Sequence, residues 1–133
     1  MNRYNIISLI LFLVYLGLVF WCCFGDFSSL PKIQREILGI PTDKVIHFVM
    51  FLPFVTLCFM AVHFIGKSFR AKLWLFLPVF IAGILFAIGI EIGQSLTSYR
   101  SGDAMDFFAD AVGLCVSTII TIILVFIKKK AFS

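Results

Sequence analysis

The segment Glu91–Asp110, EIGQSLTSYRSGDAMDFFAD, holds four of the chain's seven acidic residues, together with Gln94 and Arg100. Very apolar stretches flank it on both sides. Charge beside a hydrocarbon layer is costly, so such a cluster marks a functional site by default. Carboxyl groups in pairs could move protons as general acid and base, hold a cation, or receive hydroxyls and amines. A further basic pair, Lys44 and His47, opens an earlier apolar run.

Spacing puts these groups on helix faces. At about 100° per residue, Asp103, Asp106, Asp110, Gly113 and Ser117 fall within an arc of about 80°. Glu91, Gln94 and Ser98 share one face of the preceding helix, and Lys44 and His47 share one face of another. The stripes should converge, because charges inside a bundle pair with each other rather than with lipid. Each has a duller role available. Asp103 suits an N-cap and Asp106 a capping box, Lys44 could snorkel, and His47 and the interfacial His63 could simply pack. Asp110 lies roughly 10 Å deeper than Asp103, and Glu91 about 7 Å inside its helix end, too deep for capping.

The elements that carry these residues are membrane spans. The chain is 62% hydrophobic and only 14% charged, against about a quarter charged in soluble domains. Its mean hydropathy is +1.10. The apolar runs 6–24, 45–65, 73–96 and 107–127 each approach or exceed the roughly 20 residues that cross a bilayer as a helix. The sequence therefore predicts a single domain, an all-α integral membrane four-helix bundle. The first run ends Val19-Phe20-Trp21-Cys22, without the small residue that signal cleavage needs, so an uncleaved span is expected.

Lys and Arg are distributed unevenly. Arg3, Lys67, Arg70, Lys72, Lys128, Lys129 and Lys130 belong to the termini and the second connection. Lys32, Arg35, Lys44 and Arg100 belong to the first and third. The excess predicts both termini in the cytoplasm and the acid cluster facing outward. Within Pro31–Leu38, apolar Ile33, Ile37 and Leu38 share a side, which predicts a short surface helix between spans one and two, ended by Gly39 and Pro41. Pro53 should bend span two, while Pro78 sits early enough in span three to be tolerated. Gly66–Lys72 reads as a tight basic turn. Gly83, Ala87, Gly89, Gly93 and Gly113 allow close helix approach.

Several classes are excluded. No basic stripe with interleaved aromatics suggests nucleic acid. Cys22, Cys23, Cys58 and Cys115 lack metal or disulfide spacing, and no HExxH motif or phosphate-cradling glycine loop is present, so no metal ligand set and no cofactor are expected.

Asp43-Lys44-x-x-His47-Phe48, Glu91-x-x-Gln94 and Arg100-x-x-Asp103-x-x-Asp106-x-x-x-Asp110-x-x-Gly113 occur in this order. In these pieces the chain resembles the VanZ-like family of small bacterial membrane proteins, over roughly residues 43–117. Asp110 stands where that family normally has Asn, and Ser117 where a second Gly is common. The resemblance implies a multi-pass protein of the bacterial cytoplasmic membrane. The family's namesake is linked to low-level resistance to teicoplanin, a lipoglycopeptide that acts outside the cell on lipid-linked cell-wall precursors.

The leading expectation is a binding or envelope-modulating protein whose partners are membrane lipids, a lipid-linked precursor or a lipoglycopeptide. Lys44, His47 and Arg100 would meet anionic groups; Glu91, Gln94, Asp103, Asp106 and Asp110 would meet hydroxyls or amines. The alternative is an enzyme acting on a lipid-linked substrate, with Glu91, Asp106, Asp110 and His47 as acid/base candidates or as ligands of a divalent ion. A cation-coupled transporter is disfavoured by the absence of acids at mid-membrane. A purely structural ionic lock would tolerate a Lys44/Glu91 charge swap.

Overall fold

The computed structural model describes residues 3–25, 36–65, 68–97 and 102–131. Among the described residues four helical spans are long and apolar enough to cross a membrane: Arg3–Phe24, Thr42–Ile65, Phe69–Ser95 and Ala104–Lys129. They form the all-α bundle that the apolar runs predict. Each span starts three or four residues ahead of its apolar run, because the first helical turn accepts polar residues such as Asp43, Lys44, Arg70 and Asp106.

Helix α1, Arg3–Phe24, buries only Val19 and Cys23 completely. Ile10, Leu13, Val14, Leu18 and Trp21 point outward. A helix apolar on all sides with so little of it covered has lipid for its solvent.

The second span is built from α2, Thr42–Phe51, and α3, Phe54–Val62, followed by a 3₁₀ turn at His63–Ile65. The interruption at Leu52–Pro53 follows from Pro53, which has no N–H to continue the ladder. The Tyr15 hydroxyl of α1 reaches this break and donates to the Met50 carbonyl at 2.5 Å. Immediately after it, Phe54 packs its ring against Phe12, Phe51 and Phe86, with centroids 5.6–6.2 Å apart. The interruption thus sits inside the aromatic centre of the bundle, which ties span two to α1 and span three.

Span three comprises α4, Phe69–Trp74, and α5, Phe76–Ser95. Pro78 falls in the first turn of α5, where it is tolerated. Residues 69–72, expected in a turn, are already helical because Ser68 caps them, its hydroxyl accepting from the Ala71 N–H at 3.1 Å. Helix α6, Ala104–Ala131, packs along α2, α3 and α5.

The predicted surface helix at residues 31–38 needs correction where it is described. Glu36–Ile37 (β1) and Ile40–Pro41 (β2) pair as a small antiparallel hairpin. Leu38 and Gly39 both take positive φ, 54° and 78°, which turns the chain within two residues. Gly39 therefore closes a hairpin instead of ending a helix. Pro31–Arg35 lies outside the described residues.

Small residues set the helix contacts unequally. A Cβ on Gly113 would sit 2.7 Å from the Phe48 carbonyl oxygen, and one on Gly83 would sit 2.6 Å from Leu114 Cδ2. Gly89, expected at a close approach, has nothing within 4 Å.

Deeper in the bundle, Thr121 donates to the Ser117 carbonyl and shares a hydrogen bond with Thr56, both at 2.7 Å. Beyond this pair, at the far end, lies a cavity of about 490 Å³. Its lining includes Thr56, His63, Thr121, Lys72, Lys128 and Lys129.

Candidate functional site

The start of α2, the end of α5 and the start of α6 meet at one end of the bundle, opposite the lysine-lined cavity. Their polar residues converge there. Lys44 Nζ lies 2.6 Å from Asp103 Oδ2, 2.6 Å from Asp106 Oδ1 and 3.2 Å from Asp43 Oδ2. An ammonium has three hydrogens, and three carboxylates take them. Lys44, expected to receive an anion, is instead the counter-ion of the cluster and has no donor left over.

One turn further along α2, His47 is 3% exposed. Its Nδ1 is 3.0 Å from Asp110 Oδ1, and its Nε2 is 3.7 Å from Asp106 Oδ2. An ionised Asp110 can only accept, so Nδ1 carries a hydrogen toward it, while Nε2 faces Asp106. Asp110 is itself wholly buried, and its Oδ2 has no hydrogen-bond partner among the described residues.

The α5–α6 corner is held by backbone chemistry. Asp103 caps α6, its Oδ1 accepting from the Met105 N–H at 2.9 Å. In a capping box, residue 106 would reach back to the Asp103 N–H. Here Glu91 Oε2 accepts that N–H at 2.8 Å, which leaves Asp106 free to face α2. Gly102 makes the corner possible, since a Cβ there would lie 2.8 Å from the Glu91 carbonyl oxygen. The second carboxylate oxygen of Glu91, Oε1, is shut off from solvent and has no partner among the described residues.

The sequence-predicted residues thus separate. Lys44, His47, Glu91, Asp103, Asp106 and Asp110 form one cluster. Gln94 turns away from it: its amide donates to the Cys23 carbonyl at 3.0 Å and ties α5 to the last turn of α1. Ser98 and Arg100 lie outside the described residues. Asp43 joins the cluster through Lys44, which its adjacency in sequence to a lysine did not reveal. The sequence also gave no sign of the walls beside the acids. A cavity of about 370 Å³ is lined by Ile88, Ile92 and Phe107 together with Glu91, Ser95 and Asp103. Apolar residues among apolar neighbours carry no pattern that singles them out.

Asp103 lies outside the spans, and the Lys44 ammonium and the Met105 N–H hold its carboxyl below the usual aspartate range. Its stabilising contribution is therefore complete above the ordinary aspartate pKa and fades as pH falls through the depressed value. Thermal melts of the purified chain should stay level into mild acid and drop below it. In Asp103→Asn the carboxyl's share of that drop should vanish.

The ligand atoms of His47, Glu91 and Asp106 lie within 4.8 Å of one another, as do those of Asp43, Asp103 and Asp106. Neither group shows in the sequence as a metal motif, because each draws on separate helices. Residues 4–126 match the model of a protein family described as VanZ/LLP1. No curated protein and no solved structure matches the chain.

Proposed function

Since the chain belongs to the VanZ/LLP1 family, we propose that it is an envelope-modulating protein that holds the polar head of an envelope lipid or lipoglycopeptide. The observation that carries this reading is the shape of the site. A cavity with apolar walls at Ile88, Ile92 and Phe107 opens directly onto Glu91 and Asp103. An amphiphile fits such a place with its chain against the walls and its head against the acids. Because Lys44 is fully engaged, the charged groups that the cavity offers the head are the Glu91 and Asp103 carboxylates. They suit the hydroxyls and amines of a sugar or amino head group. In this reading the chain sits in the bacterial cytoplasmic membrane with both termini inside, the site faces outward, and occupancy changes tolerance of teicoplanin-type glycopeptides.

Ile92 is well exposed on the cavity wall and takes no part in the ionic contacts. Ile92→Trp fills the cavity and leaves every charge in place. Native mass spectrometry of the gently extracted wild-type chain should show a co-purifying lipid. The variant should lose that lipid at an unchanged melting temperature, and cells expressing it should lose any gain in teicoplanin tolerance. Equal lipid retention in both proteins overturns the proposal.

One observation favours a second reading, an enzyme acting on a lipid-linked substrate. The His47–Asp110 pair beside the unpartnered Glu91 oxygen is a set from which acid/base chemistry can be built. Turnover of a lipid-linked substrate by the wild type, abolished in Glu91→Gln, is the result that would establish it.

A further inference from the structure

The cluster contains two groups of three potential ligands, and they differ in one respect. Asp43, Asp103 and Asp106 already surround a cation, the Lys44 ammonium. His47, Glu91 and Asp106 surround none among the described residues. We infer that His47, Glu91 and Asp106 bind a divalent first-row transition-metal ion at the end of the bundle.

Three observations support the site. The first is the orientation of His47. It is 3% exposed, and its Nδ1 is engaged by Asp110 at 3.0 Å. That leaves Nε2 aimed at Asp106 Oδ2, 3.7 Å away. The distance is too long for a hydrogen bond. It suits two ligands of one ion, each about 2.0–2.2 Å from the metal. The second is Glu91 Oε1, which is shut off from solvent and has no partner among the described residues. Its sister oxygen is anchored on the Asp103 N–H, which fixes the direction in which Oε1 faces. A buried carboxylate oxygen without a partner is costly; a bound cation removes the cost. The third is Asp110. A carboxylate on the far nitrogen of a ligating histidine fixes its tautomer and ring orientation, the usual arrangement behind a metal-bound imidazole.

All three potential ligand atoms lie within 4.8 Å of one another. Side-chain adjustments of roughly 0.5–1 Å would bring them onto one ion. One nitrogen and two carboxylates favour manganese, iron, cobalt or zinc over magnesium or calcium, which prefer all-oxygen shells. Three protein ligands leave coordination positions open. The proposal rests on the head-group site above and extends it, since a metal there lets an acid-rich pocket accept an anionic group such as a phosphate.

The test uses the full chain, purified in detergent, stripped with chelator and titrated with Mn²⁺ under electron paramagnetic resonance. The expected result is one Mn²⁺ per chain, with nitrogen hyperfine coupling that disappears in His47→Gln. Glu91→Gln and Asp110→Asn should each weaken binding by roughly tenfold or more. Asp43→Asn, which touches only the Lys44-filled group, should change it by less than about threefold. Absence of nitrogen coupling in the wild type overturns the proposal. So does binding that falls as far in Asp43→Asn as in Glu91→Gln. If His47→Gln fails to fold, the Glu91 and Asp110 variants decide. Lipid retention distinguishes this proposal from its premise. Retained lipid without Mn²⁺ binding removes the metal alone. Bound Mn²⁺ with no co-purifying lipid supports the metal and removes the head-group reading.

Discussion

Lys44→Met is expected to lower the stability of the purified chain by on the order of 2 kcal/mol, between the scales for an exposed and a buried ionic partner. Lys44 is the group that lets Asp43, Asp103 and Asp106 stand together. Without it three carboxylates confront one another; Asp43 and Asp103 keep contact with water, but Asp106 is almost entirely buried. The loss should appear as a fall in melting temperature measured by intrinsic fluorescence in detergent. Adding Asp106→Asn to Lys44→Met removes the most buried of the stranded charges and should restore part of the loss. If the single variant melts with the wild type, the ionic cluster does not hold the helices. The swap of Lys44 with Glu91 carries no such information, because Glu91 is bonded to the Asp103 N–H and not to Lys44.

The second large effect is steric. Gly113→Ala is expected to cost about 2–3 kcal/mol, although it adds a single methyl group. That methyl would meet the Phe48 carbonyl oxygen at 2.7 Å and Phe51 Cβ at 3.3 Å, and a backbone carbonyl in a helix cannot move aside. Helix α2 would have to shift away from α6, carrying His47 off Asp110. Gly83→Ala should cost much less, because its nearest contact is the flexible end of Leu114. Gly89→Ala has open space and should be neutral or stabilising by about 0.5–1 kcal/mol. Melting temperatures of the three variants in one detergent check the ranking. A Gly113→Ala protein as stable as Gly89→Ala would contradict the α2–α6 contact.

The architecture was legible because the bilayer imposes it. Runs such as 6–24 and 107–127 have no other stable form in hydrocarbon, and Pro53 announces its break wherever it sits. The converging stripes were legible for the same reason, since charges at that depth must find one another. Other features depend on three-dimensional detail that spacing does not encode. Gln94 shares a helix face with Glu91, yet the end of α1 happens to offer it the Cys23 carbonyl. Glu91 takes over the backbone arm of the capping box, a role that the Asp103–Asp106 spacing assigns to Asp106. The helix expected before Pro41 gave way, in its described part, to a hairpin, because positive φ at Leu38 and Gly39 reverses the chain. Asp110 is paired with His47 through one carboxylate oxygen alone, a contact that the spacing along α6 does not encode.

Helix α6 runs without interruption for 28 residues, about 42 Å at 1.5 Å per residue. Its first turns carry Asp106 and Asp110, and its last turns carry Leu124, Val125, Lys128 and Lys129 on the wall of the far cavity. The neighbouring spans two and three are each jointed, at Leu52–Pro53 and at Leu75. The molecule therefore sets one continuous helix beside two interrupted ones. Only the continuous one offers an unbroken backbone ladder from the acidic end to the lysines at the opposite end of the bundle.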